Sequence, residues 1–431
     1  MRLFAPLANR RIAWLWAGQV GSVIGDNLYG VALAWFAVSL VGANATYLVA
    51  TQALSIMLAG MIGGSLADRL DRRRLMIGLD AIRAIAVLIL PLAEMLHLPL
   101  SLPLVYGIAI LMAALGAIFD PTLQAAMTGL ARSAAELRAL NALTDGTKRV
   151  ARIGSSGIIA LCASFLPVTH FFTLDSVTFL VSIATLLKAG QLHLPARPSA
   201  VARPHWLSDL RLAVRMAVTH PWLRFNLLGT ALGFASWMIG AMIGLSLLLQ
   251  SSAAQSSSGG LDLYGITIGI YAAASLFCNL ALGNMKQLPV MLTMLLGRCL
   301  MGLGYMSWLL APNIAWLSIG AVLAGLGSPM IDIPFFELIR RTTAPDHVGK
   351  IFALRIVMQN LGIVVATLVA TPLLHLIGAG GLIALFGLLN VGTALSGAFR
   401  FRESLRGDGA LAELTVSEGV AIAAKTADSG H

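Results

Sequence analysis

Long apolar runs can be cut from this chain at about twelve places at the length a membrane span needs. Every second connection between them is free of Lys and Arg, although the chain carries 29 such residues. The other connections are basic. Arg69, Arg72, Arg73 and Arg74 fill one, and Arg132, Arg138, Lys148, Arg149 and Arg152 surround the next. Residues 188–224, Lys286, and Arg340, Arg341 with Lys350 mark the remaining ones. The connections near 42–45, 94–101, 164–172, 250–263, 312–313 and 375–380 hold only Glu94, Asp262 and neutral residues. Positive charge flanking apolar segments is retained on the cytoplasmic side. The pattern therefore predicts an even number of spans with both termini cytoplasmic.

Composition agrees. Hydrophobic residues make up 58% of the chain, charged residues 11%, and there are 43 glycines; glycine is well tolerated in membrane helices. The formal charge of +10 raises nucleic acid as a partner. Its placement beside apolar runs on one side assigns it to anionic lipid at the bilayer surface instead. Cys162, Cys278 and Cys299 lie in apolar runs without metal-ligand spacing, so packing is expected of them and no metal. The first apolar run is too long for a cleavable leader, and insertion through that helix is expected.

The predicted spans are 12–40, 46–67, 75–95, 102–126, 141–166 and 169–189, then 222–249, 264–285, 289–311, 315–338, 351–374 and 380–399. This predicts an all-α polytopic membrane protein with twelve transmembrane helices. Its domains are a six-helix bundle over 9–190, a cytoplasmic linker over 191–220, a second six-helix bundle over 221–400 and a disordered tail over 401–431. Within the linker, Leu207, Leu210, Val214 and Ala217 share one face of an amphipathic helix expected to lie in the membrane interface. The halves echo one another: Asp120-Pro121 corresponds to Asp332 and Pro334, and Ala142-Leu143 to Ala353-Leu354. Paired six-helix repeats are a transporter pattern, with the substrate site between the repeats.

The run Gly64-Ser65-Leu66-Ala67-Asp68-Arg69-Leu70-Asp71-Arg72-Arg73-Arg74 resembles the signature loop between the second and third helices of the major facilitator superfamily, departing from it at Asp71, where that pattern has Gly. Further segments resemble the enterobactin exporter and macrolide efflux permease branch. They are Gly25-Asp26-Asn27-Leu28-Tyr29, Phe119-Asp120-Pro121 with Gln124-Ala125, Asn141-Ala142-Leu143, Asp175-Ser176 with Phe179, and Pro345-Asp346 with Gly349-Lys350. The resemblance implies the major facilitator fold and efflux of amphiphilic small molecules by proton antiport in a bacterial inner membrane. It also implies a gate in which Asp68 and Arg72 associate with Asp120, with Gly64 and Arg69 completing the loop. Two departures stand out. Helix five reads Gly154-Ser155-Ser156-Gly157 without the antiporter proline, and the fourth span has no Arg.

Charge at membrane depth is unfavourable and so marks function. Asp26 lies near the middle of the first span, and Gln19, Ser22, Asp26 and Tyr29 follow helical spacing, predicting a polar strip toward a cavity. Asp26 is thus the first candidate for proton coupling and Asp175 the second. Gln19, Ser22 and Tyr29, with Gln359 and Asn360 of the eleventh span, are candidate substrate contacts. Asp80 and Arg83 are expected to pair three residues apart.

No phosphate-cradling loop, zinc-binding His pair or nucleophile elbow occurs, so neither an enzyme nor a cofactor is expected. The sequence reads as a monomeric secondary transporter, its partners being a small-molecule substrate, protons and the lipid bilayer. Proton-coupled export of a siderophore, macrolide or other natural product is the leading expectation. The alternatives are uptake of a small metabolite, or a non-transporting membrane protein such as a lipid scramblase or an assembly factor.

Overall fold

A computed structural model of the chain describes residues 5–131, 133–163, 165–190, 206–252, 260–285, 289–310, 313–343 and 345–402. Six helices form the first half: α1 (Arg10–Val41), α2 (Ala45–Arg69), α3 (Arg72–Met95), α4 (Leu102–Leu130), α5 (Ala134–Cys162) and α6 (His170–Ala189). The short helix α7 (Trp206–Thr219) follows. Then come α8 (Pro221–Ala235), a π-helical segment (Ser236–Gly244), α9 (Leu245–Ser252), α10 (Leu261–Gly283), α11 (Val290–Ser307), α12 (Ile314–Thr342) and α13 (Pro345–Arg400). Each expected apolar run is helical over most of its described length. The expected linker residues up to 205 and the tail from 403 lie outside the described residues.

Among the described residues, nine segments are long and apolar enough to cross a membrane. Two of the nine contain a break. Gly42, at φ 55°, ends α1 ahead of α2, and Gly378, at φ 70°, kinks α13. Only glycine adopts such a backbone without strain. The expected span 141–166 corresponds to α5, which is helical but not among the nine, because charged residues from Glu136 through Lys148, Arg149 and Arg152 run past its midpoint. Large apolar side chains such as Leu161 (76% exposed) and Phe399 (84% exposed) face outward. A surface of this kind belongs in lipid rather than water.

The signature loop starts α3 with a cap. The Asp71 carboxylate accepts from the Arg74 amide at 2.9 Å, so a side-chain bond makes the turn that glycine makes in the related pattern. Arg73 donates from Nε and Nη2 to the Leu186 and Leu187 carbonyls at 2.9 and 3.0 Å. It thereby satisfies the open end of α6.

The helices form roughly two bundles. In the first, α1 packs on α5 and α6, and α3 and α4 close the other side; in the second, α12 packs on α10 and α11 while α13 covers α8 and α11. Close approach of α11 to α12 depends on glycine, since a Cβ on Gly297 would stand 2.7 Å from the Gly327 carbonyl oxygen. The amphipathic helix docks through Leu210, Ala213, Met216 and Ala217 onto the second bundle, whereas Val214, expected on that face, is exposed. Its buried stripe is turned by about one position, because it meets α8 and α13.

The core is divided unevenly. Toward the end bearing the start of α1, each bundle has its own cluster: Ile12, Met76, Phe119 and Leu123 in the first, and Trp222, Phe335, Leu338 and Leu354 in the second. Toward the α1–α2 turn, one cluster takes in both halves, including Trp35, Leu48, Phe172, Tyr264, Leu249 and Ile383. The halves are joined at one end and separate at the other.

Candidate functional site

Between the halves lie two adjoining cavities of about 320 and 370 Å3 that share Arg152, Ser328 and Asp332 as walls. Either volume suits a small organic solute. The first is lined by Asp26, Asn27 and Gly30 of α1 and by Trp237 and Tyr271 of the second half. Trp237 belongs to the π-helical segment and stacks on Tyr271 with ring centroids 4.2 Å apart. Such a segment adds a residue per turn and re-aims the side chains it carries. The second cavity reaches Lys148 of α5 and Asn279 of α10.

The turn end of this space is sealed. Thr46 and Thr371 share a hydrogen bond at 2.6 Å, and Gln250 Nε2 donates to the Trp35 carbonyl at 3.0 Å. A Cβ on Gly265 would stand 2.9 Å from the Ala160 amide nitrogen, so α5 and α10 touch backbone to backbone there.

Asp26 lies at the border between the cavity and the first bundle. Its carboxylate, 40% exposed, accepts from Arg83 Nη2 at 2.5 Å. Arg83 is buried. Its Nη1 stands 3.6 Å from Asp80, the expected pair, and its guanidinium lies 4.2 Å from the Phe179 ring centre. Asp80 is fully buried and also accepts from Ser182 at 2.6 Å. One guanidinium thus holds two carboxylates on two helices, and it is less hydrated than an ammonium would be in that place. Asp175 is fully buried beside Gly25, within electrostatic reach of Asp26 and Arg83, and among the described residues its Oδ2 has no hydrogen-bond partner. It lines neither cavity.

The rest of the polar strip on α1 turns away from the cavity. Gln19, Ser22 and Tyr29 are buried within the first bundle, with Tyr29 edge-on to Phe172 at 5.7 Å. Glycines 18 and 25 bring α6 so close to α1 that this face is covered. Gln359 and Asn360 line neither cavity, and the Asn360 amide donates to its own helix at Ile356. Of the expected gating residues, the surroundings of Gly64 and the side chains of Asp68 and Arg69 lie outside the described residues. Arg72 reaches α4 as expected, but it donates to the Ala125 carbonyl at 3.2 Å. Asp120 is exposed and, among the described residues, forms no ion pair, although it lies within electrostatic reach of Asp26 and Arg83.

A second pair was not anticipated. Asp332, 38% exposed on the cavity wall, accepts from Arg355 Nη2 at 2.5 Å, and Arg355 lies over Phe336 at 4.7 Å. The Asp120/Asp332 echo in the sequence pointed to Asp332, but its partner is 23 residues away on another helix. Arg298 was missed as well. It is fully buried in α11 and donates from Nη1 to the Gly229 carbonyl at 2.8 Å. Arginine inside an apolar run was the available signal for both.

The sequence from residue 1 to 348 matches the family described as transmembrane secretion effectors. The chain belongs to that family. It is a polytopic membrane transporter of the major facilitator type. No curated protein matches the sequence. Solved structures share the fold across nearly the whole length. A nucleoside transporter, NupG, is 12% identical with a TM-score of 0.72, covering 93% of this chain and 99% of its own. An auto-inhibited POT family peptide transporter is 14% identical with a TM-score of 0.72, over 91% and 97%. A POT family transporter in complex with 5-aminolevulinic acid is 12% identical with a TM-score of 0.70, over 93% and 97%.

Proposed function

We propose that this transporter moves an amphiphilic small molecule by alternating access, coupled to protons through Asp26. The observation that carries the reading is the Asp26–Arg83 pair on the wall of a cavity that is sealed at one end. Arg83 keeps its proton at all working pH values. When Asp26 takes up a proton, its attraction for Arg83 is lost and the guanidinium is left to Asp80 and Asp175. A charge that changes partners with each proton biases two packings of the same helices.

The nine apolar segments count two broken ones singly, and separating these at Gly42 and Gly378 and adding α5 makes twelve spans. On this reading the bundles are 9–190 and 221–400, both termini are cytoplasmic, and the cavity stands open to the cytoplasm. Secretion in the family description supports export, and the narrower likeness to siderophore and macrolide exporters names a substrate class. A second reading, uptake of a small metabolite, draws support from fold relatives named for nucleoside, peptide and 5-aminolevulinic acid.

Sealed vesicles of known orientation test this. Candidate siderophores, macrolides, nucleosides and peptides are added singly, and substrate movement is followed together with internal pH. Movement of substrate against its gradient with protons moving oppositely supports export, while movement in the same direction supports uptake. Asp26→Asn is expected to abolish uphill transport and leave downhill exchange. An Asn variant that still concentrates substrate removes Asp26 from coupling and turns attention to Asp175. No proton movement with any solute favours the non-transporting alternatives.

A further inference from the structure

The charged groups on the cavity wall are not bonded alike. Two carboxylates line it, Asp26 and Asp332, and each is held at 2.5 Å by an arginine that lines neither cavity. Two cations also line it: Arg152, which is exposed, and Lys148, one helical turn earlier on the same face of α5. Among the described residues, neither the Arg152 nor the Lys148 side chain has a hydrogen bond or an ion pair. The wall therefore carries two carboxylates that each bind a guanidinium and two cations without a bonded partner, one of which, Lys148, stands within electrostatic reach of Asp26. Arg152 also stands within electrostatic reach of Tyr271, which with Trp237 forms an aromatic shelf in the same cavity.

Positive charge at the cytoplasmic ends of spans is ordinarily an anchor to lipid. These two differ, because they face the space between the bundles. A cationic pair beside an aromatic shelf matches a molecule with an anionic head and a flat apolar body. The guanidinium can hold a carboxylate, sulfonate or phosphate with paired hydrogen bonds, while the ammonium adds a point charge.

We infer that the substrate is an organic anion, its acidic group held by Lys148 and Arg152 and its apolar or aromatic part on Trp237 and Tyr271. The inference rests on the transport reading only in calling the bound molecule a substrate. The charge preference is measured by binding, so it can fail while transport stands, or hold while transport fails. The same anion chemistry is offered by a phospholipid headgroup entering from the bilayer.

The test uses the full chain purified in a nonionic detergent and titrated calorimetrically with three probes of one shape: 2-naphthalenesulfonate, 2-naphthylmethylammonium and 2-naphthalenemethanol. Binding of the sulfonate about tenfold or more tighter than the ammonium is expected, with the difference shrinking as salt is raised. Lys148→Gln with Arg152→Gln is expected to erase that preference and leave the neutral alcohol unchanged. Lys148→Arg with Arg152→Lys keeps both charges and is expected to keep the preference. Equal or tighter binding of the ammonium, persistence of the preference in the Gln pair, or its loss in the charge-conserving pair overturns the inference. Displacement of the sulfonate by stoichiometric phosphatidylglycerol assigns the cations to a lipid headgroup, and also overturns it.

Discussion

In the N-terminal half, Arg83 of α3 reaches α1 and meets a carboxylate, that of Asp26, at 2.5 Å. In the C-terminal half, Arg298 of α11 reaches α8 in the same manner and meets a backbone carbonyl, that of Gly229, at 2.8 Å. Both guanidinium groups are buried, and both stand next to a ring: Phe179 at 4.2 Å from Arg83, Phe225 at 6.0 Å from Arg298. The difference is the partner. Asp26 can change its charge and a carbonyl cannot, so the N-terminal arginine can be released by a proton while its counterpart is fixed. Among the described residues, Nε and Nη2 of Arg298 have no hydrogen-bond partner. On the proposed reading, the equivalent arginines of the third helix in each half thus differ in kind, Arg83 held by a titratable partner and Arg298 by a fixed one. The titratable pair of the C-terminal half is Asp332 with Arg355.

The largest expected effect comes from removing each arginine in turn. Arg83→Met leaves Asp26 and Asp80 without their cation and is expected to destabilise the protein by about 3 to 5 kcal/mol, because an unpaired buried charge is what remains. Arg298→Met removes a charge that has no counter-ion bonded to it, and a change within about 1 kcal/mol, or a gain, is expected. Unfolding of both variants in one detergent measures the difference. Equal losses would break the comparison.

A smaller effect follows from glycine. A Cβ at Gly229 would coincide with the Arg298 guanidinium, and one at Gly25 with Thr178 Oγ1 and the Asp175 carboxylate. Gly229→Ala and Gly25→Ala are each expected to lose about 1 to 3 kcal/mol by overpacking. Placing Arg298→Met behind Gly229→Ala should recover most of that loss. Thr178→Ala behind Gly25→Ala should not, since Asp175 still occupies the space. Thermal unfolding of the double variants checks both statements, and rescue of Gly25→Ala by the threonine change alone would mean that Asp175 yields easily.

The smallest effect concerns the seal that the halves share. Thr371→Val removes the hydrogen bond to Thr46, worth about 1 kcal/mol, and this contact exists only while the turn end is closed. An increase of about fivefold in the open population follows. The rate at which an impermeant thiol reagent reaches Val31→Cys from the turn end reports it. An unchanged rate would mean that the apolar cluster around Trp35 and Tyr264 holds the seal alone.

The helices were legible because apolar length is a property of consecutive residues. The spans ended near where the structure ends them, and the Gly42 break and the start of α3 at Asp71 follow from local backbone chemistry. The strip of Gln19, Ser22, Asp26 and Tyr29 was correctly placed on one face of a helix, but which neighbour that face meets is not a local matter. Only Asp26 reaches the cavity wall, since glycines at 18 and 25 draw α6 over the others. Lys148 and Arg152 read as anchors for the same reason: a basic residue near a helix end looks identical whether lipid or a cavity lies beside it.

By itself the sequence determined that this chain is a multi-pass bundle of apolar helices in two halves, because hydrophobicity and charge along the chain set where each segment sits relative to a bilayer. The tertiary structure decided which charges compensate one another. Arg83 and Asp26 are 57 residues apart, and Arg355 meets Asp332 across two helices. Those distances depend on how whole helices rotate and pack, a choice made jointly by side chains from both partners that no single stretch of sequence contains.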